Sequence, residues 1–194
     1  MSPLTPPVAN DRALVAAVLA RAPGAFESLV RAYQRLCWHI IDRMVRHPED
    51  TRELCQETFL RVHRHLPQYR FESALGTWIG QVAYSVARRH LERKRVPLVE
   101  PGAGDERDVL EHIAGDFDLE AASADAELVA ALHAEIEALA PVQRMILTLY
   151  HLDETPIAEI AAITGFPEGS IKSYLFRARA KLRARLEARI GGST

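Results

Sequence analysis

The chain has 194 residues, 48% of them apolar, and a formal net charge of −2. Ala, Leu, Arg and Glu recur throughout, and Val, Thr and Tyr never gather into the alternating runs of a strand, so an all-α protein is expected. No apolar run reaches membrane-spanning length and no secretory leader pattern opens the chain, which predicts a cytoplasmic protein with no membrane association. Cys37 and Cys55 lack Cys-x-x-Cys spacing and read as buried thiols, not as a disulfide frame or a zinc site.

Residues 1–10 hold three prolines and no periodicity and read as a disordered tail. Helix is expected after them, interrupted at Pro23-Gly24. An amphipathic stretch follows, with Phe26, Leu29, Val30, Tyr33, Cys37, Ile40, Ile41 and Met44 as a core stripe, and Pro48 stops it. A third helix is predicted from about Asp50 to His65. It turns Leu54, Cys55, Phe59 and Val62 inward and Asp50, Glu53, Gln56, Glu57 and Arg61 outward, and Asp50 and Glu53 stand at capping-box spacing. Beyond a loop at 67–73, a fourth helix carries Trp78, Ile79, Val82, Ala83 and Val86 inside and ends in Arg88, Arg89, Arg93, Lys94 and Arg95. Residues 11–96 are thus expected to form one helical domain.

Residues 97–125 read as an acidic linker, with one short helix near 109–113. Charge marks it clearly: residues 97–127 carry ten acidic groups and one arginine, a net of −9. Residues 61–95 sum to +6 and residues 168–194 to +5. Two basic islands suit phosphate backbones, and the acidic stretch between them suits solvent or a basic channel.

A second helical domain is expected over 126–194, with helices near 128–139, 142–150, 156–163 and 167–190. Thr155 is placed to cap the third of these, with Pro156 at its first position and Ile157, Ile160 and Ala161 inward. Gly165 supplies a tight turn. In the last helix Ile171, Leu175, Ala178, Leu182 and Leu186 form the buried stripe, leaving Ser170, Lys172, Ser173, Phe176 and Arg177 outward. A short helix, a glycine and a longer helix also describe ordinary α-hairpin packing; the basic excess favours a DNA-reading helix-turn-helix.

The string TPIAEIAAITGFPEGSIKSYLFRARAKLRARL resembles the minus-35 binding region of extracytoplasmic-function sigma factors of bacterial RNA polymerase. Upstream, AFESLVRAY resembles the family's first conserved segment, DTRELCQETFLRVHRHLPQYR its polymerase-binding segment, and TWIGQVAYSVARRHLERKR its minus-10 reading helix. The resemblance implies a promoter-recognition subunit with core RNA polymerase and promoter DNA as partners. Asp50, Arg52, Glu53, Gln56 and Glu57 would face polymerase. Tyr69, Arg70, Phe71, Ser73, Trp78, Arg88 and Arg89 would hold a flipped base and the melted minus-10 strand. Ser170, Lys172, Ser173, Phe176 and Arg177 would meet the minus-35 duplex, while the linker threads basic channels of the polymerase.

Two departures stand out. Family members carry an acidic Asp-Ala-Glu-Asp type stretch ahead of the Leu-x-Gln-Glu-x-Phe motif, whereas here Asp50-Thr51-Arg52-Glu53 nets only −1. A phosphate on Thr51 adds about −1.5 to −2. The pattern is similar to the subgroup controlled by Ser/Thr kinases instead of anti-sigma proteins, and it predicts a kinase partner and a switch at Thr51. Tyr174 and Phe176 also replace the more usual polar or basic residues of the recognition helix.

No catalysis, metal or cofactor is expected. The eight histidines have no metal-binding spacing and read as scattered surface residues, and no Walker or Gly-x-Ser-x-Gly sequence occurs. The remaining alternatives are a helix-turn-helix repressor that binds duplex DNA alone, or a helical interaction protein.

Overall fold

The computed structural model describes residues 11–99 and 126–191. The expected tail, the short helix near 109–113 and nearly all of the acidic linker lie outside them. Among the described residues the protein is all-α, with two helical domains in chain order. The first holds α1 (Asp11–Leu19), α2 (Ala25–Val45), α3 (Pro48–His65), a 3-10 turn (Leu66–Gln68) and α4 (Leu75–Arg93). The second holds α5 (Ala126–Glu137), α6 (Pro141–His151), α7 (Ile157–Thr164) and α8 (Glu168–Gly191).

In the first domain α2, α3 and α4 pack on one another, and α1 lies across α2. Leu29, Tyr33, Cys37, Ile40, Ile41 and Met44 of α2 are buried with Leu54, Phe59 and Val62 of α3 and Ile79, Ala83 and Val86 of α4. Each large aliphatic side chain withdrawn in this way contributes roughly 2 kcal/mol. Phe26 and Val30 depart from the expected stripe: they are only partly covered and line an open surface. Leu36, which the periodicity passed over, is buried instead.

In the second domain α8 lies along α5, α6 and α7, and its stripe of Ile171, Leu175, Ala178, Leu182 and Leu186 is buried as expected. The α7–α8 turn needs Gly165: it ends α7 with φ +76°, a left-handed conformation that a side chain strains, and its amide donates to Ala161 O. Two capping expectations are corrected. Thr155 does not cap α7, because the helix begins at Ile157 and Pro156 is its cap; the Thr155 hydroxyl is buried without a hydrogen-bond partner. Pro156 cannot extend the helix backwards, since its extended ψ of 145° places the break after it.

The domains touch along one seam, α2 against α6 and α4 against α7. At one end Arg144 is buried at 7% exposure and donates to four carbonyls. Two of them, Arg43 O at 2.7 Å and Met44 O at 3.1 Å, end α2; the others, Glu137 O at 2.7 Å and Leu139 O at 3.2 Å, close α5. One cation thereby satisfies the exposed carbonyl ends of two helices from different domains. No helix among the described residues is long and apolar enough to cross a membrane.

Candidate nucleic-acid interface

Helix α3 starts earlier than its acidic pattern implied. Pro48 takes a first-turn position and His47 precedes it as the cap, its Nδ1 accepting the Asp50 amide at 3.3 Å. Asp50 therefore does not form a capping box. Its carboxylate accepts a hydrogen bond from Lys94 Nζ at 2.7 Å and lies 3.4 Å from His90 Nε2, fastening the start of α3 to the end of α4. The Lys94 hydrogen bond and its charge hold the Asp50 carboxyl below the usual carboxylate range.

This register also decides Thr51. Positions 51, 54, 58 and 62 share the inner face of α3, and Thr51 is 0% exposed, its Oγ1 without a hydrogen-bond partner. The Thr51 hydroxyl is therefore not on the outer face of α3. Arg52 is exposed but paired with Glu49, and Glu57 holds Arg61 Nε at 2.7 Å. Arg52, Glu53 and Gln56 are exposed and Glu57 half-buried, so these four share the outer face while Asp50 turns aside.

Beside that face runs an apolar groove of about 770 Å³ between α2 and α3. Phe26, Val30 and Trp38 form one wall and Cys55, Phe59 and Leu60 the other, with Arg52 and Gln56 at the rim. Leu60 is 64% exposed and Trp38 37%, so the groove leaves apolar surface open beside charge. Periodicity had placed Phe26 and Val30 in the core and had not singled out Trp38 or Leu60.

At the α3–α4 loop the structure brings together most of the residues expected to hold a melted strand. Tyr69 and Phe71 rings stand 4.6 Å apart, Tyr69 and Trp78 rings 5.1 Å. The three make a column of half-buried rings, tilted by 52° and 35° to one another. Arg12, from α1, adds its guanidinium 4.8 Å from the Phe71 centroid. The loop is held by Tyr69 Oη donating to Ser73 O at 2.6 Å, and Phe71 adopts φ +59°, a strained backbone for a bulky residue. Arg70 is exposed next to the column; Arg88 and Arg89 are exposed further along α4. Arg12 was missed because no pattern within α1 connects it to residue 71.

On α8, Lys172 is exposed, and Ser170, Ser173, Phe176 and Arg177 are half-buried around the amino-terminal turns. Tyr174 is 6% exposed and packs edge-on to Phe166 at 5.6 Å, so it belongs to the turn's support and not to the reading face. The histidines are not all scattered on the surface: His39 pairs with Asp153 at 3.1 Å and His90 with Asp50, while His151 is pushed below its ordinary value by burial and then by Arg179.

Two basic surfaces of different shape on adjoining helical domains suit a protein that grips unpaired and paired nucleic acid separately. Residues 29–96 match sigma-70 region 2, and residues 130–182 match sigma-70 region 4. Over 174 residues the chain is 30% identical to the RNA polymerase sigma-H factor of Pseudomonas aeruginosa, covering 88% of this chain and 90% of that one. It is 32% identical over 178 residues to the ECF RNA polymerase sigma-E factor of Escherichia coli, covering 88% and 91%. The chain belongs to the extracytoplasmic-function sigma factors. It is a transcription initiation factor, not an enzyme: sigma factors bind core RNA polymerase and promoter DNA. The repressor and the helical interaction protein both fall to this membership. The fold of this sigma factor is also that of CnrH in complex with the cytosolic domain of CnrY, with a TM-score of 0.61 at 21% identity over 92% of this chain and 97% of that one.

Proposed function

We propose that this sigma factor divides its work among three surfaces. Residues 11–96 dock on core polymerase through Arg52, Glu53, Gln56 and Glu57 together with the adjoining α2–α3 groove, and capture the minus-10 strand with Tyr69, Arg70, Phe71, Ser73 and Trp78. Arg88 and Arg89 follow the strand's phosphates. Residues 126–194 read the minus-35 duplex with Ser170, Lys172, Ser173, Phe176 and Arg177, and the acidic 97–125 stretch joins the two. The observation that carries this reading is the aromatic column: three half-buried rings with centroids 4.6 and 5.1 Å apart, beside exposed arginines, suit an unstacked base and its phosphate, and a duplex reader has no use for them. The test is run-off transcription by host core polymerase on a pool of genomic fragments. Discrete transcripts should require the protein and vanish with Tyr69→Ala and Trp78→Ala combined. Undiminished transcripts from that variant would remove the column from the mechanism.

A second reading concerns control. Thr51 is buried beneath the Asp50–Lys94–His90 cluster, so a Ser/Thr kinase reaches it only after the first turns of α3 have parted from α4. A phosphate there cannot return to a fully enclosed, unpartnered site at tolerable cost, and outside it would compete with Asp50 for Lys94 and His90. Phosphorylation in this scheme traps an opened α3 start and adds negative charge to the docking face, in the direction of tighter polymerase binding. Comparing core-polymerase affinity of wild type, Thr51→Glu and Thr51→Ala tests it; equal binding by all three ends the idea.

A further inference from the structure

The first helix reaches the aromatic column although nothing in its own sequence points there. It is fixed to the domain at its first residue: Asp11 is 4% exposed, and its Oδ1 accepts the Tyr33 hydroxyl at 2.5 Å. Tyr33 is fully enclosed, and burial followed by the Asp11 hydrogen bond pushes its hydroxyl well above the ordinary phenol value. Val15 and Val18 complete the inner face of α1, which packs on α2 and on the 3-10 turn that leads into the aromatic loop. The first turn of α1 is thereby held in place, and it sends its two charges in different directions.

Asp11 turns inward. Its Oδ2 is buried without a hydrogen-bond partner, and its charge is close enough to the Tyr69 hydroxyl to add to the upward push that burial gives that group. Arg12 turns outward. It is exposed, its guanidinium stands over the Phe71 ring at 4.8 Å, and it acts on Tyr69 in the opposite sense to Asp11. Arg31, Arg46, Arg52 and Arg61 of the same domain are each tied to a carboxylate, whereas no carboxylate among the described residues pairs with Arg12. A guanidinium held over a ring still offers a fork of N–H donors that fits two oxygens of a phosphate.

We propose that Arg12 is a further promoter contact: it binds a phosphate of the unpaired minus-10 strand beside the base held by Tyr69, Phe71 and Trp78, and Asp11 is its positioning residue. This rests on the assignment of the aromatic column to that strand.

Charge and position both support the contact. Rings hold a base by its face and do nothing for the charge that arrives with it. Asp11 by itself would set a negative potential beneath the loop and repel an incoming phosphate; Arg12, one residue on and at the surface, reverses the sign there. Arg70 is exposed next to the column, while Arg88 and Arg89 lie further along α4, so Arg12 adds a cation from a second element where the base is held. The same guanidinium steadies Phe71, whose backbone is strained at φ +59°. A buttress needs only contact with the ring, whereas a phosphate ligand needs the charge, and that difference can be measured.

Holoenzyme is assembled from host core polymerase and full-length wild type, Arg12→Lys or Arg12→Met, and its affinity for a labelled single-stranded minus-10 oligonucleotide is followed against salt. The oligonucleotide is taken from a promoter recovered in the run-off assay. Methionine keeps an unbranched side chain against Phe71 and loses the charge. Arg12→Met should bind about tenfold more weakly at physiological salt. Its slope of log affinity against log salt should be shallower by about 0.7, the value for one phosphate of a single strand, while Arg12→Lys keeps the wild-type slope. Wild-type affinity in Arg12→Met, or a loss with the slope unchanged and lysine no better than methionine, overturns the contact.

Strands carrying one neutral methylphosphonate at successive positions locate the phosphate. At one position wild type should lose about tenfold and Arg12→Met nothing further. The same pattern of losses in both proteins overturns the proposal. Failure of the column assignment shows separately: the Tyr69→Ala/Trp78→Ala holoenzyme would then bind the strand as wild type does. Loss of binding by that variant with Arg12→Met unaffected removes Arg12 alone.

Discussion

The two nucleic-acid surfaces of this sigma factor use similar residues in opposite ways. In region 2 Tyr69, Phe71 and Trp78 are half-buried and lean on one another around a strained loop, with Arg12 and Arg70 exposed beside them. In region 4 Tyr174 is buried against Phe166 and braces the helix-turn-helix, and the outward positions of α8 are left to Lys172, two serines, Arg177 and one half-buried ring, Phe176. Unpaired bases expose flat apolar faces and are held by stacking, whereas a duplex hides those faces and presents phosphates and polar base edges. On the assignments proposed above, aromatic rings serve recognition in one domain and mostly packing in the other.

Four substitutions break or sharpen this contrast. Arg144→Gln has the largest expected effect, because it strips hydrogen bonds from the carbonyl ends of α2 and α5 at once; the free energy of unfolding in urea should fall by about 3 kcal/mol. Next, Tyr69→Ala removes the middle ring of the column and should weaken open-complex formation by about 2 kcal/mol, roughly thirtyfold. The dependence of this loss on salt should be slight, since no charge is removed. Lys172→Ala should do the reverse, lowering promoter affinity only a few-fold at physiological salt while reducing the slope of log affinity against log salt by about one. If the Tyr69 and Lys172 variants show the same salt signature, the distinction between stacking and charge collapses.

The smallest effect concerns acid. Burial and Arg179 lower the His151 pKa from 6.5, so just below pH 6.5 the unfolded chain binds a proton that the folded chain does not. Stability should then decline as pH falls from neutral through that window, and rise again on return. His151→Gln, which cannot ionise, should flatten this part of the pH profile of thermal unfolding.

Much of the architecture is legible along the chain. Helix ends at α6, α7 and α8 fall within two residues of their expected places, and the α8 stripe is buried throughout, because heptad-like spacing and Gly165 are local signals. The rest was settled between elements. Periodicity named no side for Thr51 or Tyr174, and a neighbouring element decided both, α3 against α4 in one case and α8 against the Phe166 turn in the other. Capping was misread at Asp50 and Thr155 because the prolines at 48 and 156 stand at different places relative to their helices, one in the first turn and one before it. Gly80 was the overlooked clue: a glycine inside a long helix costs about 1 kcal/mol relative to alanine, and here it admits Ile163 of the other domain.

Sequence by itself determined the helical class, the two basic islands with acid between them, and the membership of both halves in one family, because these depend on composition and on periodicities of three to four residues. Tertiary structure alone decided that Thr51 is enclosed, that Arg12 joins the aromatic column, and that Arg144 clasps two domains. Each of these depends on residues tens of positions apart meeting in space, and side-chain hydrogen bonds to backbone carbonyls leave no trace in the spacing of residue types.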